Sequence, residues 1–422
     1  MAERAVVACT IVSQNYLGFA ATVSASYLMN HPNHQFVVLI VDEPTESLSS
    51  EQYPFEVVFA KDLPITDFRS IAFQFDILEL NTNVKPTFLK YLFQQKNAEK
   101  VIYLDPDIFC YQPFDFVLSL LDSSAIVLTP HCTQPISDEY LPAEQDFLRT
   151  GIFNLGFIGL RHSDETLRLL DWWEQRCLSR GYHEIPSGLF VDQKWMNLAP
   201  CFFSSVHILK HPGYNMAYWN LHERSLGQDG SGRWVVNGTC LLVFFHFSGI
   251  DLNSLARISK YQNRFDLTKR PDLTALFLQY EKSVRTRLQS VPCANWRYSY
   301  GCFSDGKAVP QLTRRLFGKF REQFDGVDPF DAQGPFYAWA RRKGLVAGYS
   351  QPPRYSALTY DKQDWRLQLI HESLLIILRV VGVSRYTMLM KYLSFISVLG
   401  NQAELFRDDR SGAEKNGAEK LQ

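Results

Sequence analysis

The sequence has little of what marks a zinc, secreted, membrane-spanning or nucleic-acid-binding chain. Its eight cysteines stand at 9, 110, 132, 177, 201, 240, 293 and 302, and no pair has the Cys-x-x-Cys spacing of a zinc or redox site. The opening residues, Met1-Ala2-Glu3-Arg4-Ala5-Val6, contain no long apolar stretch of the kind a secretory signal needs. Together these two absences lead to the expectation of a reducing, cytoplasmic compartment. Asn237-Gly238-Thr239 fits the N-glycosylation pattern and, without a secretory signal, is read as chance. No uncharged apolar run reaches the length of a membrane span; the run at 373–378 is stopped by Arg379. A formal net charge of −1 leaves no basic footprint, so no nucleic-acid partner is expected.

What is present is a globular composition: 422 residues, 46% hydrophobic and 21% charged, enough for a large α/β domain and a smaller second region. Apolar, β-branched runs at 6–12, 36–41 and 55–59, with a helical stretch at 19–29, read as a strand–helix–strand unit with a parallel sheet. Helices are expected over 68–96, in two pieces broken near Lys85-Pro86, and over 165–177. Further strands are expected at 101–104, 125–129, 153–160, 206–209 and 240–245, with a loop running to about residue 150. Ligands in such sheets bind beyond the carboxyl ends of the strands, which directs attention to the loops after Val12 and Val41. After about residue 268 the texture changes. A helix at 272–289 precedes an irregular aromatic stretch to 301. Basic and aromatic residues follow at 310–343, then helix-prone apolar residues at 363–398. The expected division is 1–268 catalytic domain, 269–400 helical C-terminal region and 401–422 disordered tail.

The sharpest feature is Tyr103-Leu104-Asp105-Pro106-Asp107. In an extended chain, side chains two apart share a side, and Pro106 keeps Asp105 extended. Asp105 and Asp107 are thereby candidates to converge on one hard divalent cation, Mn²⁺ or Mg²⁺. The other reading is an Asp-Pro turn with both acids solvated. His246 follows six apolar residues and so also stands at a strand end, where it is either a core histidine or a third ligand. Asn154 and Gly156 sit in Phe153-Asn154-Leu155-Gly156, which reads equally as a strand edge with a glycine bulge. Asp192, before Gln193, also reads as a helix N-cap.

Four blocks in order carry a resemblance: Tyr103 to Asp107, Phe153-Asn154-Leu155-Gly156, Asp192-Gln193 with Asn197 after it, and His246-Phe247-Ser248-Gly249. Across about residues 6–250 the chain resembles the GT-A glycosyltransferases, and within them retaining family 8 and its bacterial relatives. The resemblance implies a GT-A, Rossmann-like, mostly parallel α/β sheet flanked by helices. It also implies a metal-dependent enzyme that moves a sugar from a nucleotide-sugar donor to a glycan or glycolipid acceptor, with retention. Asp105, Asp107 and His246 would hold the metal, and Asp105 would also face the donor. Asp192 and Gln193 would sit beside the anomeric carbon as the catalytic pair. Lys85 lies where the family has a basic residue near the donor, with a solvated lysine as the other reading. Asn154 and Gly156 would line the acceptor or reacting sugar. Tyr214, Asn215 and Trp219, in a stretch rich in hydrogen-bonding and stacking groups, are further acceptor-side candidates.

The departures from that family are specific. Its first loop carries an acid for the nucleoside; here it is Ser13-Gln14-Asn15-Tyr16, with Tyr16 left to stack on a base. Its Lys-Pro-Trp after the last block is missing, since Ile250-Asp251-Leu252 follows Gly249; Lys260 is the candidate substitute, with Arg257 the runner-up. A sugar-phosphate nucleotidyltransferase is a rival class, but the loop after the first strand lacks that class's glycine-rich, basic character. A non-catalytic carbohydrate- or partner-binding domain is the second rival. The C-terminal third matches no family, and its basic and apolar helices fit either a cap or a peripheral contact with the inner membrane face.

Overall fold

The computed structural model describes residues 5–45, 53–289, 291, 296–346 and 364–407. Its contacts divide the chain into Met1–Gly301 and Cys302–Gln422. Of the tail expected at 401–422, residues 408–422 lie outside the described residues, and Ala403–Phe406 is helical.

The apolar runs of the first unit form β1 (Val6–Val12), β2 (Gln35–Ile40), β3 (Glu56–Phe59), β4 (Lys100–Leu104), β5 (Ile108–Cys110), β6 (Ile126–Pro130), β7 (Phe153–Arg161) and a short strand Val206–Ile208. All but β5 join one seven-stranded sheet in the order Val206–Ile208, β6, β7, β4, β1, β2, β3. Neighbours are parallel except around β7, which runs antiparallel to both β4 and β6. The α/β class expected from the sequence is therefore what the chain has: a mixed, mostly parallel sheet. Its central strands are almost continuously buried, as they must be with both faces covered.

The flanking helices are α1 (Leu17–Asn30), α2 (Phe68–Gln74), α3 (Ile77–Asn83), α4 (Lys85–Gln95), α5 (Asp115–Ser123), α6 (Glu144–Thr150) and α7 (Asp164–Arg180). The stretch 68–96 holds three helices rather than two. Asp76 accepts from Glu79 N at 3.0 Å while the Glu79 carboxylate accepts from Asp76 N at 3.1 Å, and this reciprocal cap starts α3 afresh. The break expected near Lys85-Pro86 is present, since α3 ends at Asn83 and α4 begins at Lys85 with Pro86 in its first turn, where its missing N–H costs nothing. The loop expected up to 150 contains α6, begun when Asp146 accepts from Ala143 N at 2.9 Å.

The run 240–245 does not complete the main sheet. Cys240–Leu241 pairs with Trp234–Val236 in one small sheet. Phe244–His246 forms another, antiparallel to β5 and parallel to Met216–Ala217. A continuous apolar run carries no period that would say which sheet it joins. Here it serves two cores: Phe244 packs with Phe114, Phe157 and Tyr214, and Phe245 packs with Phe277. The helix Thr274–Leu288, read from sequence as the start of the C-terminal region, is part of the first unit; its Tyr280 stacks on Phe247 at 3.7 Å.

In the second unit, helices Gln311–Phe320 and Pro335–Arg342 meet through the rings of Phe317 and Phe336 and of Phe320 and Trp339. Arg314 and Arg315, part of the basic stretch, are buried. Helices Trp365–Val381 and Val383–Ser397 follow and contain no buried residue.

Candidate active site

Two segments meet at the end of β4. Asp105 N still donates along the sheet, to Gly156 O at 2.7 Å, and Ile108 N then donates to Asp105 O at 3.1 Å. Asp-Pro-Asp is thus a tight turn after one extended residue, not an extended stretch throughout; proline suits the second position of such a turn. The turn leads straight into β5. Because His246 pairs with Ile108 across the small sheet and Phe247 N donates to Asp107 O at 2.8 Å, the imidazole arrives beside the turn.

His246 Nε2 lies 2.9 Å from Asp107 Oδ1 and 3.7 Å from Asp105 Oδ2. One ligand-type atom from each of the three side chains lies within 4.8 Å of the others. The imidazole is 3% exposed and the carboxylates are 22–32% exposed, so the group opens to solvent on its acidic side. Burial pulls the His246 pKa down, but Asp107 and Asp105 outweigh it and hold the pKa above the ordinary value. Tyr103 OH donates to Asp105 Oδ1 at 2.7 Å. Burial and the Asp105 charge hold this phenol well above its usual pKa, so it stays a donor. Two carboxylates and one imidazole, facing each other with surplus negative charge, are a donor set that suits a divalent cation such as Mn²⁺ or Mg²⁺.

Gly156 is what lets the histidine in. A Cβ at this position would lie 2.3 Å from His246 Cε1, closer than any real contact. Its neighbour Asn154 faces inward: Asn154 Oδ1 accepts from Gly156 N and from Asn215 Nδ2, and Asn215 Nδ2 also donates to Thr129 Oγ1. Trp219, 2% exposed, presents its ring edge-on to His246 with 5.1 Å between centroids. Asn154, Asn215 and Trp219 are thus brought to the site, but as its buried floor. Tyr214 is not brought there. It is buried between Phe114, Phe116 and Phe244, and its expected acceptor contact gives way to a core position.

Beside the floor lies a buried ion pair. Lys85 Nζ and Asp192 Oδ2 are 2.6 Å apart, with side chains 2% and 3% exposed. Lys85 also donates to Leu155 O at 2.9 Å and lies over the Tyr103 ring at 4.2 Å. Neither the solvated-lysine reading nor the N-cap reading of Asp192 holds, because each side chain is spent on the other. Burial holds the Asp192 carboxyl above its ordinary pKa although Lys85 pulls it back. Gln193 accepts from Leu155 N at 3.1 Å and donates to Thr150 O at 3.2 Å, so its amide ties β7 to the end of α6.

On the open side, Tyr16 is 42% exposed and stacks on Phe19. Burial and the charges of Asp107 and Tyr261 hold its phenol above the ordinary pKa. Gly249 has φ +72°, and a Cβ there would meet Tyr261 at 2.5 Å; Lys260 N donates to Gly249 O at 3.0 Å. That close approach carries Lys260, with its ammonium 5.1 Å from the Tyr261 ring, next to the His246 segment.

One residue the sequence reading missed is Asp42, 1% exposed at the end of β2. It accepts from Gln14 N at 2.8 Å, Trp296 Nε1 at 3.1 Å and Ser299 N at 3.0 Å. Tyr300 OH adds a bond to Glu43 at 2.8 Å. The signal was available: like Asp105, Asp42 is an acid directly after an apolar run.

No protein-family model matches the chain. Among curated relatives, the uncharacterized protein YfnF of Bacillus subtilis (strain 168) is 26% identical over 287 residues, covering 65% of this chain and 90% of YfnF. The uncharacterized protein YfnD of the same organism is 30% identical over 172 residues, 40% of this chain and 53% of YfnD. Among solved structures, the chain is similar to the galactosyltransferase LgtC in complex with donor and acceptor sugar analogs (12% identity, 68% of this chain and 96% of that one, TM-score 0.38). It is likewise similar to the glycosyltransferase GlyE of Streptococcus pneumoniae TIGR4 (14% identity, 75% and 74%, TM-score 0.38).

Proposed function

We propose that the chain is a metal-dependent glycosyltransferase that moves a sugar from a nucleotide-sugar donor to an acceptor hydroxyl on a glycan or glycolipid. The observation that carries this reading is the convergence of Asp105, Asp107 and His246 at the carboxyl end of β4, where open α/β sheets bind ligands. The order of the four sequence blocks supports it.

Asp105, Asp107 and His246 would hold Mn²⁺ or Mg²⁺, which would supply Lewis-acid neutralisation of charge on a leaving diphosphate. Tyr103 fixes the Asp105 carboxylate by its hydrogen bond, leaving the second oxygen free to turn toward the site. Tyr16 and Lys260 flank the open side and are assigned to the nucleotide and its phosphates. Asp192, paired with Lys85, is the carboxyl group assigned to offset positive charge that develops on the sugar ring. Gln193 has both ends of its amide engaged by backbone, which suits positioning of β7 better than contact with a reacting atom. Asn154 and Gly156 shape the floor under the sugar. Retention of configuration and a cytoplasmic location belong to the same proposal, the latter in keeping with free, buried Cys9, Cys110 and Cys177.

The test is release or transfer of sugar from a panel of nucleotide-sugars, with Mn²⁺, Mg²⁺ or excess chelator. Turnover should vanish in chelator, and Asp105→Ala should lower kcat/KM at least about a thousandfold by removing a ligand and its charge. Undiminished turnover in either arm rules the proposal out.

A further inference from the structure

The second unit ends in a feature that nothing at the sugar site uses. Helices Trp365–Val381 and Val383–Ser397 turn on Gly382 and pack on each other, yet neither buries a single residue. Much of their exposed apolar surface lies in two stripes, with Ile370, Leu375, Val383 and Leu393 exposed outside them. On the first helix Trp365, Leu369, Ile376 and Val380 are 67%, 57%, 59% and 77% exposed. At 100° per residue they lie within about 60° of one another on the helix surface. On the second, Met388, Tyr392 and Phe395 are 67%, 52% and 58% exposed, at the i, i+4, i+7 spacing of a single face.

Both stripes are edged by cations. Arg366 and, just beyond Glu372, Arg379 stand to either side of the first, and Arg385 and Lys391 to either side of the second. Glu372 is the one acid between residues 365 and 397, so the pair of helices carries four positive charges against one negative. Long basic side chains can lay their stems along an apolar surface and keep the charged head in a polar layer. Tryptophan and tyrosine at the margins suit the same boundary. Among the described residues no helix is long and apolar enough to cross a membrane. Arg314 and Arg315 of the same unit are buried, whereas Arg341 and Arg342 are exposed on a separate helix, Pro335–Arg342.

We infer that the hairpin is a docking surface for the face of an anionic bilayer, lying in the interface with its two apolar stripes immersed and Arg366, Arg379, Arg385 and Lys391 among the lipid headgroups. The charge pattern selects this occupant over a second copy of the chain. Two copies set stripe to stripe would bring like-charged edges together, whereas anionic lipid neutralises them. The inference is independent of the sugar chemistry and is read without any measure of turnover.

The experiment is flotation of the full chain with vesicles of phosphatidylglycerol and phosphatidylcholine, alongside vesicles of phosphatidylcholine alone. The chain should float with the mixed vesicles and bind the neutral ones at least about tenfold more weakly, given the attraction each basic residue contributes near an anionic surface. Ile376→Glu and Met388→Glu, at exposed positions, should each lower binding to mixed vesicles at least about tenfold while leaving circular dichroism and thermal unfolding unchanged. Failure of the wild-type chain to float, equal binding to neutral vesicles, or full binding by both variants overturns the inference. So does sedimentation showing a wild-type dimer that does not float and that either variant converts to a monomer, since the stripes would then belong to a second copy.

Discussion

At the scale of single residues, the site depends on an absence and on a pairing. Gly156 leaves the space that the His246 ring fills. Gly156→Ala must push either β7 or the imidazole aside, and the imidazole is the one held by fewer bonds. The expected outcome is a fold that survives, with a stability loss of about 1–3 kcal/mol, and Mn²⁺ affinity reduced by at least about tenfold as the nitrogen leaves the carboxylates. Titration calorimetry with Mn²⁺ checks this, and unaltered affinity would show that His246 is no ligand. The pairing is Lys85 with Asp192. Without the lysine a buried carboxylate is left unmatched, which costs about 3–5 kcal/mol for a pair of this kind. The sign with pH follows from burial. Asp192 has its folded pKa raised, so the folded chain keeps a proton that the unfolded chain has lost, and stability falls as pH rises through that window. Lys85→Met should therefore be least stable at neutral pH and recover as the medium becomes acidic, and the acidic limb of its kcat/KM profile should move to higher pH. Denaturant melts over a pH series decide; a Lys85→Met chain as stable as the parent at neutral pH contradicts the argument.

At the scale of elements, the runs at 6–12, 36–41 and 101–104 were legible as strands because buried parallel strands are uniformly apolar. Asp-Pro-Asp and His246 were legible because acids and a histidine interrupt such runs at their ends. The same uniformity hid where 240–245 belongs, since nothing in Leu241-Leu242-Val243-Phe244-Phe245 says that the chain changes sheets at Leu242. Nor could local pattern show that Lys85 and Asp192 are partners. Each sits in an ordinary polar context in sequence, and the pair exists only because α4 and the segment after Leu189–Phe190 both abut β7. Asp42 was overlooked for the opposite reason. Its partners Trp296 and Ser299 come from a stretch read as irregular, which Asp42 and Glu43 together tie to the end of β2.

At the scale of the molecule, contacts separate Met1–Gly301, which holds every site residue named above, from Cys302–Gln422. Two such units should unfold in two steps, because cooperativity follows contact. Mn²⁺ at about 100 times its dissociation constant should stabilise the unit that carries Asp105 by about 2.7 kcal/mol and leave the other where it was. Differential scanning calorimetry with and without the ion reads both at once; a single transition, or one in which both steps rise together, argues against independent units. The sequence reading set its division at 268 because texture changes there. The helix Thr274–Leu288 nonetheless belongs to the first unit, because its Phe277 and Tyr280 complete the core behind His246.

The reversed strand has one more implication. Asp105, just past the end of β4, and Gly156, within β7, are joined by a 2.7 Å backbone bond, and the two strands stay in step from there back to Lys100 and Arg161. A slip of one residue along that seam would turn every side chain on it to the other face, carrying the acid and the glycine out of alignment in the same stroke. Descendants of this chain that come to prefer a different substrate should therefore differ in the segments around Tyr16 and Lys260, while the seam itself stays letter for letter.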